Sequence, residues 1–239
     1  MQPLIIAHRG ASAYTKENTL ISFDKAIALG ADMVEFDIRR TRDRVLIIHH
    51  DAEINQKPIR QLTYAQIRAV DPDIPTLEEA IALCQGRVRL DVELKEAGYE
   101  KRVVELLSHH FPRDKFVITS FHPFAINTVK RLYPDIKTGF LFGYGTVDFC
   151  RSFWFNSKSV SDRIREMRAD FIAPHWELLE TDLLSRVVTG NMPIWVWTVN
   201  EAPVMERLLT DPRIEGIITD KPDLGVQMRQ RALAYPELV

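Results

Sequence analysis

Cysteine is nearly missing from this chain: Cys84 and Cys150 are the only two among 239 residues. They lie far apart in apolar surroundings, so neither a disulfide framework nor a thiolate metal site is suggested, and a reducing compartment fits. A basic surplus is also missing. Against 33 acidic side chains stand 31 basic ones, for a net charge of −2. That balance argues against general binding to nucleic acid or anionic membranes, while leaving room for a small basic pocket. No run of about eighteen apolar residues occurs, so no membrane span or stable membrane insertion is expected. The opening MQPLIIAHRG lacks a charged segment followed by a long apolar core, which gives no sign of a signal peptide. The expectation is a cytoplasmic protein. Linkers, low-complexity tracts and internal repeats are lacking too. One domain over residues 1–239 is predicted, and 46% apolar composition is enough for a substantial core.

What the chain does have is a recurrence of apolar, β-rich runs. Candidate strands are LIIAH (4–8), MVEFDIR (33–39), VLIIHH (45–50), RVRLDVELK (87–95), FVITSF (116–121), KTGFLFG (137–143), DFIAPHW (170–176), PIWVWTV (193–199) and IEGIITD (214–220). Amphipathic segments separate them. Leu20, Phe23 and Ile27 share a helical face, and Gly30 stands where a C-terminal cap belongs. Thr76 and Glu79 have capping-box spacing after Pro75, and Thr63 and Gln66 repeat it in LTYAQI. HPFAINTVKRLY, LLETDLLSRVVTG, EAPVMERLLT and LGVQMRQRAL complete the helical set. Such alternation predicts parallel strands with helical crossovers. Eight units, with 45–50 counted as an extension of the second, close an α/β fold of the (β/α)8 TIM-barrel kind, with a short insertion after the second strand. An open doubly wound sheet would carry a Gly-rich phosphate turn after its first strand. AHRGASAY has neither G-x-G-x-x-G nor a Walker lysine.

Polar chemistry gathers at the predicted C-terminal ends of these strands, where barrel enzymes keep their active sites. His8 and Arg9, Glu35 and Asp37, His50 and Asp51, Glu93 and Lys95, Ser120 and His122, His175, Trp197 and Asn200, and Thr219 and Asp220 all fall there. In MVEFDIR, Val34, Phe36 and Ile38 alternate on one face, which leaves Glu35 and Asp37 together on the other. Two unpaired carboxylates so close repel each other and are costly to desolvate. Glu93 shares a strand face with Lys95. Converging from neighbouring strands, Glu35, Asp37 and Glu93 would form an oxygen-only set for a hard divalent cation, Mg²⁺ or Ca²⁺. The competing reading pairs each carboxylate with an arginine, from Arg39, Arg40 and Arg89. Arg9 and Lys95 would complement a phosphate, one as a planar fork and one as a point charge. His8 and His50 are the natural acid–base pair. His49 has the opposite strand parity and should face away, His109 and His110 close a helical pattern, and His122 and His175 are candidate site walls.

Taken in order, AHRGASAYTKENTLISFDKAIALGAD (7–32), VEFDI (34–38), HHD (49–51), IPTLEEAI (74–81), ELK (93–95), SF (120–121), WTVN (197–200) and GIITDKP (216–222) strongly resemble the glycerophosphodiester phosphodiesterase family. The resemblance implies a TIM barrel that hydrolyses a small-molecule glycerophosphodiester to sn-glycerol 3-phosphate and an alcohol, in glycerophospholipid degradation, with Mg²⁺ or Ca²⁺ depending on the member. By motif, it implies His8 and His50 as acid–base catalysts and Glu35, Asp37 and Glu93 as metal ligands. Arg9 and Lys95 would contact phosphate, Trp197 would line the substrate pocket, and Glu17 would play a supporting part.

Two departures from the family pattern stand out. After Asp51 the stretch AEINQKPIRQLTYAQIRAVDPD has no R-T-T segment and little room for a large cap, which leaves the mouth open. The segment 139–160 carries Phe140, Phe142, Tyr144, Phe149, Phe153, Trp154 and Phe155. It reads as a buried strand and packed helix, or else as an apolar wall for a lipid-like alcohol or for a second copy of the chain in a homo-oligomer. The rival activities are a lysophospholipase D-like reaction on lysophospholipids, a Schiff-base lyase using Lys95, and a barrel that binds phosphodiesters without cleaving them.

Overall fold

Short runs of Val, Ile, Leu and Phe bounded by polar turns are built for strands covered on both faces, and that is where the chain places them. The computed structural model describes residues 2–143, 166–181 and 192–234. Its strands are β1 (Leu4–Ala7), β2 (Met33–Arg40), β3 (Leu46–Ile48), β4 (Glu53–Ile54), β5 (Lys57–Pro58), β6 (Arg89–Leu94), β7 (Phe116–Ser120), β8 (Thr138–Phe142), β9 (Phe171–Pro174), β10 (Ile194–Val196) and β11 (Ile214–Thr219). Eight of them, β1, β2 and β6 to β11, are parallel neighbours in that order. The ring closes where β1 pairs with both β11 and β2. This is the expected (β/α)8 barrel. β3 runs antiparallel to β2, with Ile38 opposite Ile48, so VLIIHH is a hairpin arm on the second strand and not a stave of the barrel.

Helices α1 (Leu20–Ala28), α2 (Tyr64–Val70), α3 (Leu77–Cys84), α5 (Pro123–Leu132), α6 (Ala202–Thr210) and α7 (Pro222–Ala234) fall on the predicted helical segments, and α4 (Glu100–His110) is the helix whose pattern His109 and His110 close. Thr63 with Gln66 and Thr76 with Glu79 form the two capping boxes, each satisfying otherwise orphaned backbone N–H groups. Gly30 follows α1 at φ 83°, the left-handed turn that ends helices. The insertion after β3 is small: the β4–β5 hairpin, a single 3-10 turn and α2. The helical pattern that ends in 182–190 and the aromatic stretch beyond Gly143 lie outside the described residues, as does Cys150. Among the described residues no helix is long and apolar enough to cross a membrane.

Strand parity sorts the side chains into layers. Val34, Phe36 and Ile38 pack outward against Phe23, Ala26 and Leu77 in the helix layer. Inside the barrel, Ile6, Met33, Val117, Phe171 and Trp195 form an apolar plug. Trp195 stacks on Phe171 with ring centroids 4.2 Å apart. The barrel is therefore filled from its N-terminal end up to about the level of Leu141 and Ile218, and the space above it is the site.

Candidate active site

β2 and β6 lie side by side, with Glu35 opposite Asp91 and Asp37 opposite Glu93. All four side chains turn into the barrel, and none is more than 7% exposed. One oxygen from each of Glu35, Asp37 and Glu93 lies within 4.8 Å of the others. Arginine does not fill this cluster in the way the competing reading required. Arg39 donates from Nε (2.8 Å) and Nη2 (2.7 Å) to the His50 carbonyl and from Nη1 to Glu96, Arg40 donates to the Gly98 carbonyl, and Arg89 to the Asp32 carbonyl. The three acids instead meet Arg9 and Lys95. Lys95 Nζ lies 2.8 Å from Glu93 and 3.2 Å from Asp37. Arg9 Nε lies 3.4 Å from Asp37, and its backbone N–H donates to Glu35 at 2.8 Å.

Two fixed cations do not balance this much buried acid. Burial pushes the Glu35 carboxyl well above the usual range, and the charges of Asp37, Asp91 and Glu93 add to the rise. Burial and Asp37 likewise raise Glu93 to about 8, against the pull of Lys95. For Asp37, burial is outweighed by Lys95, Arg9 and a hydrogen bond from Asn18, which hold it down at about 2. Burial lowers the Lys95 ammonium, but Glu93 and Asp37 outweigh it and raise the pKa. Lys95 thus stays charged, the opposite of what a Schiff-base nucleophile needs. Three hard oxygen donors with an unmet negative charge fit a divalent cation such as Mg²⁺ or Ca²⁺.

Both cavity-lining histidines present Nδ1 to a carboxylate. His8 Nδ1 is 2.6 Å from Asp220 Oδ1, and His50 Nδ1 is 2.8 Å from Asp51 Oδ1. Asp220 is the better held of the two acids. Its Oδ1 also lies 2.9 Å from the Ser12 hydroxyl, its Oδ2 accepts from Asn200 Nδ2, and its backbone N–H donates to Asn200 Oδ1 at 2.9 Å. Burial would raise its pKa, but the bond from His8 and those from Asn200 and Ser12 lower it to about 2. A carboxylate only accepts, so the proton between the two residues sits on His8 Nδ1 and leaves Nε2 for other partners. His50 is lowered chiefly by burial, then by Lys95.

The turn after β1 places these groups. Arg9 and Gly10 both have left-handed φ, 54° and 82°, a conformation costly for arginine and typical of functional turns. A side chain at position 10 would drive its Cβ to 2.6 Å from the Ser22 backbone carbon, so only glycine fits there. The Arg9 guanidinium rests on Glu17 at 2.9 and 3.0 Å. Its buried Nε makes no hydrogen bond among the described residues and faces the Asp37 carboxylate at 3.4 Å. A cavity of about 170 Å³ opens between His8, Arg9, His50, Lys95 and Trp197. Trp197 is pinned by its indole N–H to the Ala173 carbonyl at 2.7 Å, with Phe121 and His175 edge-on at 5.4 and 5.2 Å.

Every site residue expected from the sequence converges here, Glu17 from behind Arg9. His175 is a wall through Trp197. His122 serves the wall less directly, its Nε2 being 2.9 Å from the Lys95 carbonyl. Four residues carry more than the sequence reading gave them. Asn18 grips Asp37 through Oδ2 at 2.8 Å and the backbone N–H at 3.4 Å. Asp220, Ser12 and Asn200 together hold His8. Asp220 and Asn200 were visible as polar residues at strand ends, but nothing in the sequence says that Asp220 faces a histidine 212 positions away.

Residues 8–224 of the chain match the model of the glycerophosphoryl diester phosphodiesterase family. The glycerophosphodiester phosphodiesterase of Caldanaerobacter subterraneus subsp. tengcongensis is 27% identical, over 95% of this chain and 98% of the relative. The enzyme of the same name from Bacillus altitudinis is 26% identical over 95% of this chain and 98% of its own. Among solved structures, an Oleispira antarctica phosphodiesterase in complex with the product sn-glycerol-3-phosphate superposes with a TM-score of 0.80 at 25% identity, covering 96% of this chain and 97% of that one. A Thermotoga maritima glycerophosphodiester phosphodiesterase gives 0.79 at 24% identity over 96% and 99%. An acid cluster, two cations and two histidines around one barrel mouth are what phosphoric diester hydrolysis calls for, and with so complete a match the chain belongs to the glycerophosphoryl diester phosphodiesterase family.

Proposed function

We propose that this protein is a metal-dependent hydrolase of glycerophosphodiesters, releasing sn-glycerol 3-phosphate and an alcohol from deacylated phospholipids. The observation that carries the reading is the cluster of Glu35, Asp37 and Glu93, oxygens within 4.8 Å of one another, facing Arg9, Lys95, His8 and His50 across a single cavity. These three acids would hold a divalent cation, Mg²⁺ or Ca²⁺, which would supply Lewis-acid charge to the phosphate when bound. Arg9 and Lys95 take the remaining phosphate charge: the Arg9 guanidinium is held between Glu17 and Asp37, and Lys95 stays protonated between two acids. Glu17 braces Arg9 from outside and Asn18 orients Asp37. The diester is cleaved by attack of an oxygen at phosphorus, one proton being removed from the attacking oxygen and another delivered to the departing alcohol. His8 and His50 share these transfers. Trp197 lines the substrate pocket together with Phe121.

Release of glycerol 3-phosphate from glycerophosphocholine tests the proposal. Activity should vanish with EDTA, return with Mg²⁺ or Ca²⁺, and fall at least about 10²-fold in Glu35→Ala, on the scale at which lost transition-state stabilisation is usually felt. Full activity of Glu35→Ala, or of the chelated enzyme, refutes the ligand assignment.

A further inference from the structure

Opposite Glu35, on the inward face of the neighbouring strand β6, lies a fourth acid that the proposed chemistry leaves unused. Asp91 is wholly buried and sits on the same inward face of β6 as Glu93. Its Oδ1 accepts from the Thr119 hydroxyl at 2.7 Å, while its Oδ2 has no hydrogen-bond partner among the described residues. Buried polar atoms are nearly always paired, so an orphan calls for an explanation. Asp91 lines the cavity two residues deeper on β6 than Glu93, with Glu35 opposite it and the apolar Leu141 and Ile218 also in the lining. At the cavity, Asp91 Oδ2 is thus an orphan acceptor, whereas Arg9 Nε, though without a hydrogen bond, faces Asp37 Oδ2 at 3.4 Å.

We infer that Asp91 Oδ2 meets the terminal hydroxyl of the substrate's glycerol and thereby selects a free, unacylated glyceryl group; this rests on the reading of the site as a glycerophosphodiester hydrolase. With phosphate among Arg9, Lys95 and the three acids, a short polyol reaching inward ends against the floor. A hydroxyl both donates and accepts, so it satisfies Oδ2 whichever protonation state the carboxyl has. An acyl ester or a methyl group in its place has no hydrogen to donate, and a methyl cannot accept either. Sites built around a buried polar partner reject analogues that lack the matching group far better than apolar pockets reject size differences. The lysophospholipid alternative therefore conflicts with the cavity floor.

The test compares glycerophosphocholine with the phosphocholine ester of propane-1,2-diol, in which only the terminal hydroxyl is replaced by hydrogen. Wild type should favour glycerophosphocholine in kcat/KM by about 10- to 100-fold, the scale set by leaving a buried polar group unpaired. Lysophosphatidylcholine should be a poorer substrate still. In Asp91→Ala the preference should shrink to within about 3-fold, and Asp91→Asn, which keeps a polar partner, should retain most of it. A wild-type preference under about 3-fold overturns the inference whether or not either variant folds. So does an undiminished preference in folded Asp91→Ala, or equal turnover of lysophosphatidylcholine. If wild type with Mg²⁺ or Ca²⁺ releases nothing from glycerophosphocholine, the hydrolase reading fails. Calorimetric binding of glycerol 3-phosphate against propane-1,2-diol phosphate then decides the Asp91 contact by itself: equal affinities overturn it.

Discussion

Asp220→Asn should leave the barrel standing and remove most of the turnover. The reason lies in which way an amide must face at this position. Asn200 has its own amide fixed, because Oδ1 accepts from the Asp220 backbone N–H at 2.9 Å and from the Thr219 hydroxyl at 3.1 Å. Its Nδ2 therefore donates toward position 220. An asparagine there turns its carbonyl to Asn200 and its NH₂ toward His8, where the wild-type carboxylate accepts at 2.6 Å. Facing a donor, His8 Nδ1 becomes the acceptor and the ring proton moves to Nε2, the wrong tautomer for taking a proton from substrate. A positioned acid–base group contributes about 10²- to 10⁴-fold, and a fixed tautomer accounts for most of that range where an acid orients the ring. A coupled assay for glycerol 3-phosphate should show kcat down by that factor with KM within about 3-fold, since no phosphate-binding group is touched. The melting temperature serves as the control for folding. A kcat within about 3-fold of wild type would refute the role given to Asp220.

The same carboxylate makes the fold sensitive to acid. Its pKa is depressed from 3.8 to about 2, so its stabilising contribution is complete above about pH 4 and lost as pH falls through about 2. The size is at most about 2 kcal/mol, reduced because 27% of its side chain faces water. Urea titrations at pH 6 and pH 3 should therefore show a smaller acid-induced loss for Asp220→Asn than for wild type; equal losses would count against the depressed pKa. At Cys84, burial pushes the thiol up to about 12, so it stays protonated and unreactive in the native state. Cys84→Ser should leave the number of thiols titrated by a disulfide reagent unchanged without denaturant and lower it by one in guanidinium.

How far the site could be read from the chain depends on the range of the interaction. Glu35 and Asp37 face inward because strand parity is a local property, and Val34, Phe36 and Ile38 fix the outward face wherever the strand ends up. Thr63 and Gln66, or Thr76 and Glu79, cap helices across three residues, and that spacing is visible directly. Arg39 behaves otherwise. By position it was a candidate partner for the acids, yet the antiparallel β2–β3 arm brings the His50 carbonyl to its fork, a pairing no periodicity encodes. The contacts of Asn18 and Asp220 were hidden for the same reason, since their partners lie 19 and 212 residues away.

The sequence alone determined the order and type of the strands and helices, the single closed barrel they make, and the inward set of acids, cations and histidines, because these follow from alternation, capping and strand ends. Only the tertiary structure decided which carboxylate meets which cation, which acid stands behind His8, and that one oxygen of Asp91 is left without a hydrogen bond opposite Glu35. Those are matters of ångströms across staves that the chain reaches only by closing on itself, and Coulomb and hydrogen-bond energies are settled at that scale.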